Sequence, residues 1–430
     1  MDRPSHLPAQ SPAQVSRLVN PTTLIQHAAD GAFLWILRDR AVASPRYRMR
    51  NLLALDQRIE ANREGLLLAD EDGWAACRDG LASGDAGEIF AAAVVAFSTL
   101  RADRMRAACE VALAAEDGQR ALIAALAWLP FEPLAPILQR LAAGADARLR
   151  RVALRAIGIH RQDPFDALQA ALSHDDPGVV SAAARGLGEC RRRDAVPLLL
   201  AHLDCAPPAA RFSLACSLSL LGHREALALL APTAEAGGVE AMAAVEVLLR
   251  ALPLAQGRQM LSSLSGRPGR ERLVIAGTGI LGDPLAVPWL IAKMADPALC
   301  RIAGEAFSLI TGADLEHLDL DRSEAGEDRP DEDEGDAEDR VHPDDQELPV
   351  PDPVRVEAWW GGQASSMPKG VRHLCGRPIA AGSLVEVLRH GYQRQRRAAA
   401  LEWVLHREDA LFFDVRQRSD GQQRVLRTCS

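Results

Sequence analysis

The sequence has few aromatic residues and almost no lysine. Aromatic residues make up 4% of the 430 positions, and only two of them are tyrosines. Because strands favour aromatic and β-branched side chains, whereas Ala and Leu favour helices, this composition predicts a mostly helical protein. Of the 49 basic residues only Lys293 and Lys369 are lysines. Arginine therefore carries nearly all of the positive charge.

Three further absences restrict the class of protein. No apolar run approaches the roughly 18–20 residues that a membrane helix needs, so we expect no membrane-spanning segment. Residues 1–20 lack a hydrophobic core flanked by positive charge, so we expect no signal peptide. The eight cysteines form no C-x-x-C pair and no zinc-ligand spacing. We therefore expect reduced, mostly buried thiols in a cytoplasmic protein.

Charge is distributed unevenly along the chain. Residues 314–352 carry a net charge of −15, residues 353–430 carry +6, and residues 1–313 are neutral. The acidic segment has too few apolar residues in its centre to offset the entropy of ordering, which predicts a disordered linker. One interpretation is a solubilising spacer. The other is that this segment folds over the basic C-terminal region and masks it until a partner binds.

An internal repeat of about 30 residues runs through the middle of the chain. Steps of 30 to 34 residues connect Gly158, Gly188 and Gly222, and the same step connects Gly282 and Gly312. Nine, five, four and one positions before Gly158, Gly188 and Gly282 lie residues that are apolar or small, and these spacings place them on one stripe of a helix. Glycine at the repeated position is typical of the left-handed residue that ends a helix.

A second amphipathic segment follows each repeated helix. Residues 195–204 recur as residues 286–296, each with a proline (Pro197 and Pro288) near its start. Proline in the first turn of a helix loses no hydrogen bond and fixes φ. Two helices in every 30 or so residues, repeated in series, predict an α-solenoid.

The repeat resembles the short HEAT repeat of the phycobilisome-lyase-like type. The residues that carry the resemblance are Asp176-Pro177, Val179, Ala183-Ala184, Leu187-Gly188 and the segments 195–198 and 149–158. The resemblance covers residues 86–313 and is specific to a fold, not to an activity.

A second resemblance extends over nearly the whole chain, to an uncharacterised bacterial family of HEAT-repeat proteins. It rests on residues 27–38, 55–61 and 65–69 near the N-terminus, and on 358–360, 376–379 and 393–402 near the C-terminus. Members of that family are often encoded beside components of type VI secretion systems. The resemblance therefore suggests a role near such a system.

Together these patterns predict an all-α protein in four parts. We expect an N-terminal helical cap at residues 1–85 and a HEAT-like α-solenoid at residues 86–313. An acidic linker at 314–352 and a small, basic C-terminal helical unit at 353–430 complete the chain.

No arrangement of residues typical of catalysis is visible. Gly277, Gly279 and Gly282 have the G-x-G-x-x-G spacing of a dinucleotide site. Gly282, however, lies on the repeat period, prolines follow it, and no βαβ pattern surrounds it, so we predict a glycine-rich repeat helix. Histidines lack metal-ligand spacing, and no P-loop or nucleophile elbow occurs. We therefore predict no catalytic residue, no metal site and no cofactor.

Arginine and tryptophan are the candidate partner-binding residues. In HEAT geometry, Arg151, Arg155, Arg185 and Arg250 would point to the concave face and contact carboxylates of a partner; the alternative is a solvated face with local ion pairs. The C-terminal candidates are Arg394, Arg396, Arg397, Trp359 and Trp360. The tryptophan pair either docks a partner or packs the C-terminal unit onto the repeats, and the second is favoured.

We therefore predict a non-enzymatic protein-binding scaffold or adaptor, which could serve a type VI secretion system as an accessory or effector-loading factor. The alternative is a lyase or isomerase of the HEAT type that acts on a small molecule, which would require a pocket with converging polar groups. The neutral repeat region argues against nucleic acid as a partner, and no membrane partner is expected.

Overall fold

The computed structural model describes residues 20–163, 166–322 and 341–429, which contain 22 α-helices and two short strands. The predicted all-α fold of repeated helical pairs is confirmed. The chain divides into two compact units. Unit 1 takes the described residues up to 40, 50–183 and 417–419, and unit 2 takes 41–49, 184–416 and 420–429.

Ten helices begin in the first half of the chain. They are α1 (Pro21–Ala41), α2 (Met49–Leu68), α3 (Asp70–Leu81), α4 (Ala86–Thr99), α5 (Ala102–Ala114), α6 (Gly118–Trp128), α7 (Phe131–Ala143), α8 (Ala147–His160), α9 (Ala167–Ala171) and α10 (Pro177–Glu189). In unit 1, α4, α6 and α8 pack side by side, and α5 and α7 each pack against their neighbours in the chain. This alternation is the arrangement expected of stacked helical pairs.

Trp128 is the centre of a cluster that holds residues 417–419 within unit 1. Its indole Nε1 donates to Glu60 Oε2 at 3.1 Å, and Phe90 lies edge-on at 5.6 Å. Arg418 lies over the ring at 5.1 Å. Asp56, which pairs with the buried Arg38, also accepts a hydrogen bond from the backbone of Ser419 at 2.7 Å.

Twelve more helices follow. They are α11 (Val196–Cys205), α12 (Pro208–Leu220), α13 (Leu227–Ala236), α14 (Ala241–Ala251), α15 (Leu254–Ser265), α16 (Glu271–Leu281), α17 (Val287–Lys293), α18 (Cys300–Thr311), α19 (Pro353–Gln363), α20 (Ala381–His390), α21 (Gln393–His406) and α22 (Ser419–Thr428). In unit 2, α14, α16 and α18 pack side by side, and α21 packs against α14 and α12. The predicted second helices are α11 and α17, and a proline lies in the first turn of each.

The repeated glycines end helices at three positions and not at two others. Gly222, Gly282 and Gly312 have positive φ angles of 93°, 72° and 74°. Gly188 instead lies inside α10, where a Cβ atom would come within 2.9 Å of the Ser217 side chain. The left-handed residue there is Arg191, three positions later. At Gly188 the repeat preserves close helix packing, and the helix end moves by one turn.

A two-stranded hairpin, β1 (His373–Leu374) and β2 (Arg377–Pro378), covers the ends of two repeat helices in unit 2. The backbone N–H of His373 donates to the carbonyl of Gly282 at 2.7 Å. The N–H groups of Cys375 and Gly376 donate to the carbonyls of Leu309 and Ile310. These bonds satisfy carbonyls that the last turn of a helix leaves unpaired.

The structure differs from the predicted linker at both of its ends. Leu315, Leu320 and Leu348 are buried, and the backbone of Arg322 pairs with that of Val350. These leucines bury enough apolar surface to order residues 314–322 and 341–352. The strongly acidic run 323–340, for which disorder and masking were predicted, lies outside the described residues.

The two units also cut across the predicted domain boundaries. Unit 1 continues past residue 85 as far as 183, and residues 353–416 belong to the same unit as 184–313. The predicted boundaries followed periodicity and charge along the chain. The units follow contacts between residues that are far apart in the sequence.

Candidate functional site

A cavity of about 920 Å³ lies in unit 2, and three successive repeat helices form one of its walls. This wall consists of Met242, Glu246 and Arg250 from α14, Arg272, Ala276 and Ile280 from α16, and Ile302, Ala306 and Leu309 from α18. Residues four apart lie on one face of a helix. Positions 242, 272 and 302 are separated by 30 residues, as are 246, 276 and 306. The same face of each repeat therefore opens into one cavity.

The other walls come from three parts of unit 2 that are distant in the sequence. They are residues between 42 and 48, residues 312–316 and 344–349 (which include parts of the predicted linker), and residues of the C-terminal region between 375 and 416; Arg185 of α10 also lines the cavity. A cavity built in this way depends on tertiary packing, because no single segment contains it.

Arginines outnumber carboxylates among the described residues that line the cavity. The nine arginines are Arg46, Arg48, Arg185, Arg250, Arg272, Arg377, Arg394, Arg397 and Arg416; the six acidic residues are Glu246, Glu305, Asp314, Glu316, Asp344 and Glu386. Three of these arginines, Arg185, Arg250 and Arg272, pair with carboxylates behind the lining (Glu189, Glu402 and Asp345). Apolar side chains such as Met242 and Ile302 lie between the charged ones.

Ion pairs hold several of these arginines in place. Arg394 pairs with Glu305 at 2.7 Å and also donates to the carbonyl of Asp344 at 2.6 Å. Burial raises the pKa of Glu305, and the charge of Arg394 opposes this shift. Arg272 pairs with the buried Asp345. The guanidinium groups are thus oriented by carboxylates within the wall.

Two arginines near the N-terminal segment of unit 2 line the cavity in different ways. Arg48 lies over the ring of Tyr392 at 4.1 Å and donates to the carbonyl of His390 at 3.0 Å. Arg46 pairs with Glu316 at 2.5 Å, and about half of each side chain is exposed to solvent.

Arg377 differs from its neighbours. It is exposed on strand β2, and it makes no ion pair or side-chain hydrogen bond with any other residue that the structure describes. Its guanidinium is therefore not held by another side chain among the described residues.

Arg250 was predicted to contact a partner, and this prediction is wrong. The side chain is 3% exposed and its Nη1 donates to Glu402 Oε1 at 3.1 Å. Arg372 and His406 also contact Glu402, at 2.5 and 3.1 Å. Helix α21 of the same chain covers this part of α14 and supplies the carboxylate. Arg250 therefore joins two helices within unit 2.

Arg396 and Arg397 are neighbours with different environments. Arg396 is fully buried in unit 2 and donates to the carbonyl of Leu388 at 2.7 Å and to the side chains of Gln393 and Gln422. Its burial lowers the pKa of the guanidinium to about 10. Arg396 is therefore a core residue, contrary to its predicted role. Arg397 is 60% exposed and pairs with Glu246 at 2.6 Å.

The tryptophan pair packs inside unit 2. Trp360 is buried in the core formed around α17 and α18. Trp359 is half-buried and lies edge-on to Phe307 at 5.7 Å. This arrangement agrees with the favoured packing interpretation, and it leaves Trp360 inaccessible to a partner.

The remaining predicted arginines lie on α8 and α10. Arg151 and Arg155 are half-buried in unit 1, where Arg151 covers Gly178. Arg185, in unit 2, lines the cavity and pairs with Glu189 at 2.8 Å. Of the predicted set, Arg185, Arg250, Arg394 and Arg397 meet at the cavity, whereas the others do not.

The glycine-rich motif is a repeat helix, as predicted. Gly277 and Gly279 lie inside α16. A Cβ atom at Gly279 would come within 2.7 Å of Ala306 Cα, and one at Gly282 would come within 2.3 Å of the carbonyl oxygen of His373. The glycines allow α16 to approach α18 and the hairpin closely, and no strand precedes them.

Sequence reasoning missed Arg46, Arg48, Arg272, Arg377 and Arg416 as cavity residues. The 30-residue period contained a signal for Arg272, because residue 242 and residue 302 occupy the same face. Nothing local indicated Arg46, Arg48 or Arg377, since tertiary packing alone brings them to the cavity.

The described residues contain no group of three or more His, Cys, Asp or Glu side chains able to hold a metal ion. Within the same ranges, every helix is too short or too polar to cross a bilayer. All eight cysteines are free thiols; three are buried, four are half-buried and Cys205 is exposed.

A model of the HEAT repeats family matches residues 132–219 and 165–249. This part of the chain is therefore similar to HEAT repeats, and the prediction of HEAT repeats is confirmed there. There is no match to the chain among curated proteins or among solved structures. The family match supports a helical repeat scaffold. A repeat fold does not by itself define an activity, which depends on the residues of the cavity.

Proposed function

We propose that the protein is a non-enzymatic binding scaffold that receives a segment of a partner protein in the cavity of unit 2. The observation that carries this proposal is the common face of α14, α16 and α18, which opens into one cavity of about 920 Å³. Stacked repeats use such continuous faces as extended binding surfaces. Residues that recur every 30 positions would contact successive parts of an extended chain.

The chemistry of the cavity supports binding more than catalysis. Its carboxylates Glu246, Glu305 and Glu316 are held in ion pairs with arginines. Burial raises the pKa of the Cys375 thiol to about 12, so this side chain is not a thiolate near neutral pH. A nucleophile with an adjacent base, which covalent catalysis requires, is not formed by these groups.

Occlusion of the cavity tests the proposal. Ala43 is an exposed residue at the cavity, and Ala43→Trp adds bulk there without entering the core. Ala364 is exposed in unit 2 outside the cavity, and Ala364→Trp is the matched control. We expect the full chain and the control to retain a stoichiometric partner from native lysate, whereas Ala43→Trp loses it. Equal retention by all three proteins would contradict the proposal.

A small-molecule ligand, acted on by a lyase or isomerase, is the second candidate. The volume of the cavity favours it, because ligand sites commonly enclose about 300–1,000 Å³. Native mass spectrometry of the purified chain distinguishes the candidates. A small bound mass that disappears in Ala43→Trp would support this second function, and a bound polypeptide would support the scaffold.

The resemblance to bacterial proteins encoded beside type VI secretion components suggests where to seek the partner. We propose that it is a component or an effector of such a system, loaded or held by the scaffold. Co-purification from a strain with the secretion genes and from one without them tests this. Capture of the same partner from both strains would contradict the proposed link to type VI secretion.

A further inference from the structure

We propose that the cavity of unit 2 binds an acidic peptide segment, through arginines that face a partner's carboxylates across an apolar floor. This inference rests on the proposed function and names the chemistry of the occupant. Its first support is the excess of arginines over carboxylates in the wall. A peptide with Asp or Glu side chains complements that excess in charge.

The second support is the geometry of the guanidinium group. It carries five N–H donors in a planar fork that matches a carboxylate with two parallel hydrogen bonds. Arg397 uses part of this set on Glu246, whereas each of the three nitrogens of Arg394 already donates one bond, to Glu305 and to the carbonyls of Ala43 and Asp344. Those ion pairs restrict the side chains, so less entropy is lost when a ligand binds the remaining donors.

Two arginines are the strongest candidates for direct contact. Arg377 is exposed and makes no ion pair with the described residues. Arg46 is half-exposed, and its partner Glu316 is also half-exposed. A surface ion pair of this kind contributes little to stability, so a ligand carboxylate can replace Glu316 at small cost.

Arg250 is a buried part of the cavity wall. Its side chain lines the cavity and is almost fully buried, and its Nε has no hydrogen-bond partner within the described structure. A buried donor without a partner is uncommon and costs stability. Arg250 does not contact the ligand in this proposal, because its Nη1 is held by Glu402, which Arg372 shares.

The floor of the cavity distinguishes a peptide from a nucleic acid. Met242, Ile280 and Leu309 offer apolar contacts to side chains between the acidic residues of a peptide. Among the described lining residues Tyr392 is the only aromatic one, whereas single-stranded nucleic acid requires several stacking platforms.

Fluorescence anisotropy with the full chain tests the inference. The probe is a fluorescein-labelled peptide of alternating glutamate and leucine, and its counterpart replaces glutamate with lysine. We expect the glutamate peptide alone to bind, and to bind more weakly when ionic strength rises from about 0.1 M to about 1 M, which shortens the Debye length from about 10 to about 3 Å. Binding of both peptides with equal affinity would overturn the inference.

Charge reversal locates the site. We expect Arg377→Glu and Arg46→Glu each to weaken binding by about tenfold or more, which corresponds to about 1.4 kcal/mol. Arg424→Glu makes the same change in charge at an exposed position of unit 2 outside the cavity, and we expect it to bind as the unmodified chain does. Thermal unfolding confirms that all three variants fold. Equal affinities in the three variants would contradict a site in the cavity.

Two further results separate the inference from the function on which it rests. If free glutarate binds with the affinity of the peptide, the site recognises a small carboxylate and the peptide inference is wrong. If the glutamate peptide fails to bind while Ala43→Trp still loses the captured partner, the scaffold stands and only the acidic class is wrong. If Ala43→Trp retains the partner, the proposed function itself fails.

Discussion

Arg250 and Glu402 form a buried ion pair, with 3.1 Å between Nη1 and Oε1, that joins repeat helix α14 to C-terminal helix α21. The two residues are 152 positions apart in the sequence. Glu402 also accepts hydrogen bonds from Arg372, whose guanidinium reaches the carbonyl of Arg250 at 2.9 Å. One carboxylate thus organises both arginines, and the C-terminal helix is part of unit 2.

Removing the charge of Glu402 should destabilise the protein strongly. Glu402→Gln leaves the buried Arg250 and the partly buried Arg372 without this counter-ion, and we expect a loss of about 3–5 kcal/mol in the free energy of unfolding. Glu408→Gln is the control, because Glu408 is exposed and makes only a surface pair with Arg193, worth about 0–1 kcal/mol. Urea denaturation measures both. Similar losses would show that the buried pair contributes no more than the exposed one.

The Arg250–Glu402 pair should also make the stability of the protein depend on pH. Burial by itself raises the pKa of Glu402, but hydrogen bonds from His406 and Arg372 and the charges of Arg372 and Arg250 lower it below its ordinary value of 4.5. Since the folded pKa is the lower one, the stabilisation is present above about pH 4.5 and is lost as the pH falls through the folded pKa. The difference in stability between the unmodified chain and Glu402→Gln should therefore shrink in acid. A difference that is constant with pH would contradict this assignment.

Adjacent arginines on α21 should behave differently. Arg396→Met leaves buried acceptors on Leu388 and Gln422 unsatisfied, at about 1–3 kcal/mol for each. Arg397→Met removes only an exposed pair with Glu246 and should cost about 0–1 kcal/mol. Thermal unfolding of the two variants compares them directly. Equal shifts in Tm would mean that Arg396 is not a core residue.

Substitution of a repeat glycine by alanine should destabilise the protein only where two helices touch at that glycine. Gly279→Ala places a methyl group against Ala306, and overpacking of this kind costs about 1–3 kcal/mol. Gly361→Ala, in α19, points into open space and should stabilise the helix by about 0.5–1 kcal/mol. Opposite signs in the free energy of unfolding are the expected result. A stabilising Gly279→Ala would contradict the close approach of α16 and α18.

The acidic run 323–340, with a net charge of −8, should compete with acidic ligands if the masking hypothesis is correct. Replacing it by a Gly/Ser linker of equal length removes the charge and keeps the connection. We expect the replaced chain to bind the glutamate peptide more tightly than the unmodified chain at low salt, and equally at high salt. Unchanged affinity at low salt would leave the solubilising spacer as the correct interpretation.

Local patterns predicted the repeat well, because helix periodicity and helix ends depend on nearby residues. The 30-residue step identified the glycines that end α16 and α18. The structure shows that the same step also relates Met242, Arg272 and Ile302, which the sequence analysis did not single out. Close packing against Ser217 explains why Gly188 does not end its helix. A helix boundary can shift by a turn while the buried stripe stays in register.

The residues that complete the cavity could not be predicted in this way. Arg46 lies outside the helices and strands, and Arg377 lies in the two-residue strand β2. Only the packing of segments that are distant in the sequence places both arginines at the cavity. The burial of Arg396 could not be predicted from the sequence either, because an arginine-rich stretch at the start of a helix is usually exposed to solvent. Partners distant in the sequence determine which charges are buried.

The most direct test of a partner segment in the cavity is site-specific photo-cross-linking. A photoreactive amino acid replaces either His390, an exposed cavity residue, or Arg424, which lies outside the cavity. After irradiation of the complex, mass spectrometry identifies the joined peptides. The account predicts that position 390 cross-links to an acidic segment of the partner and that position 424 does not. Cross-links from position 424 alone, or none from position 390 in an intact complex, would contradict it.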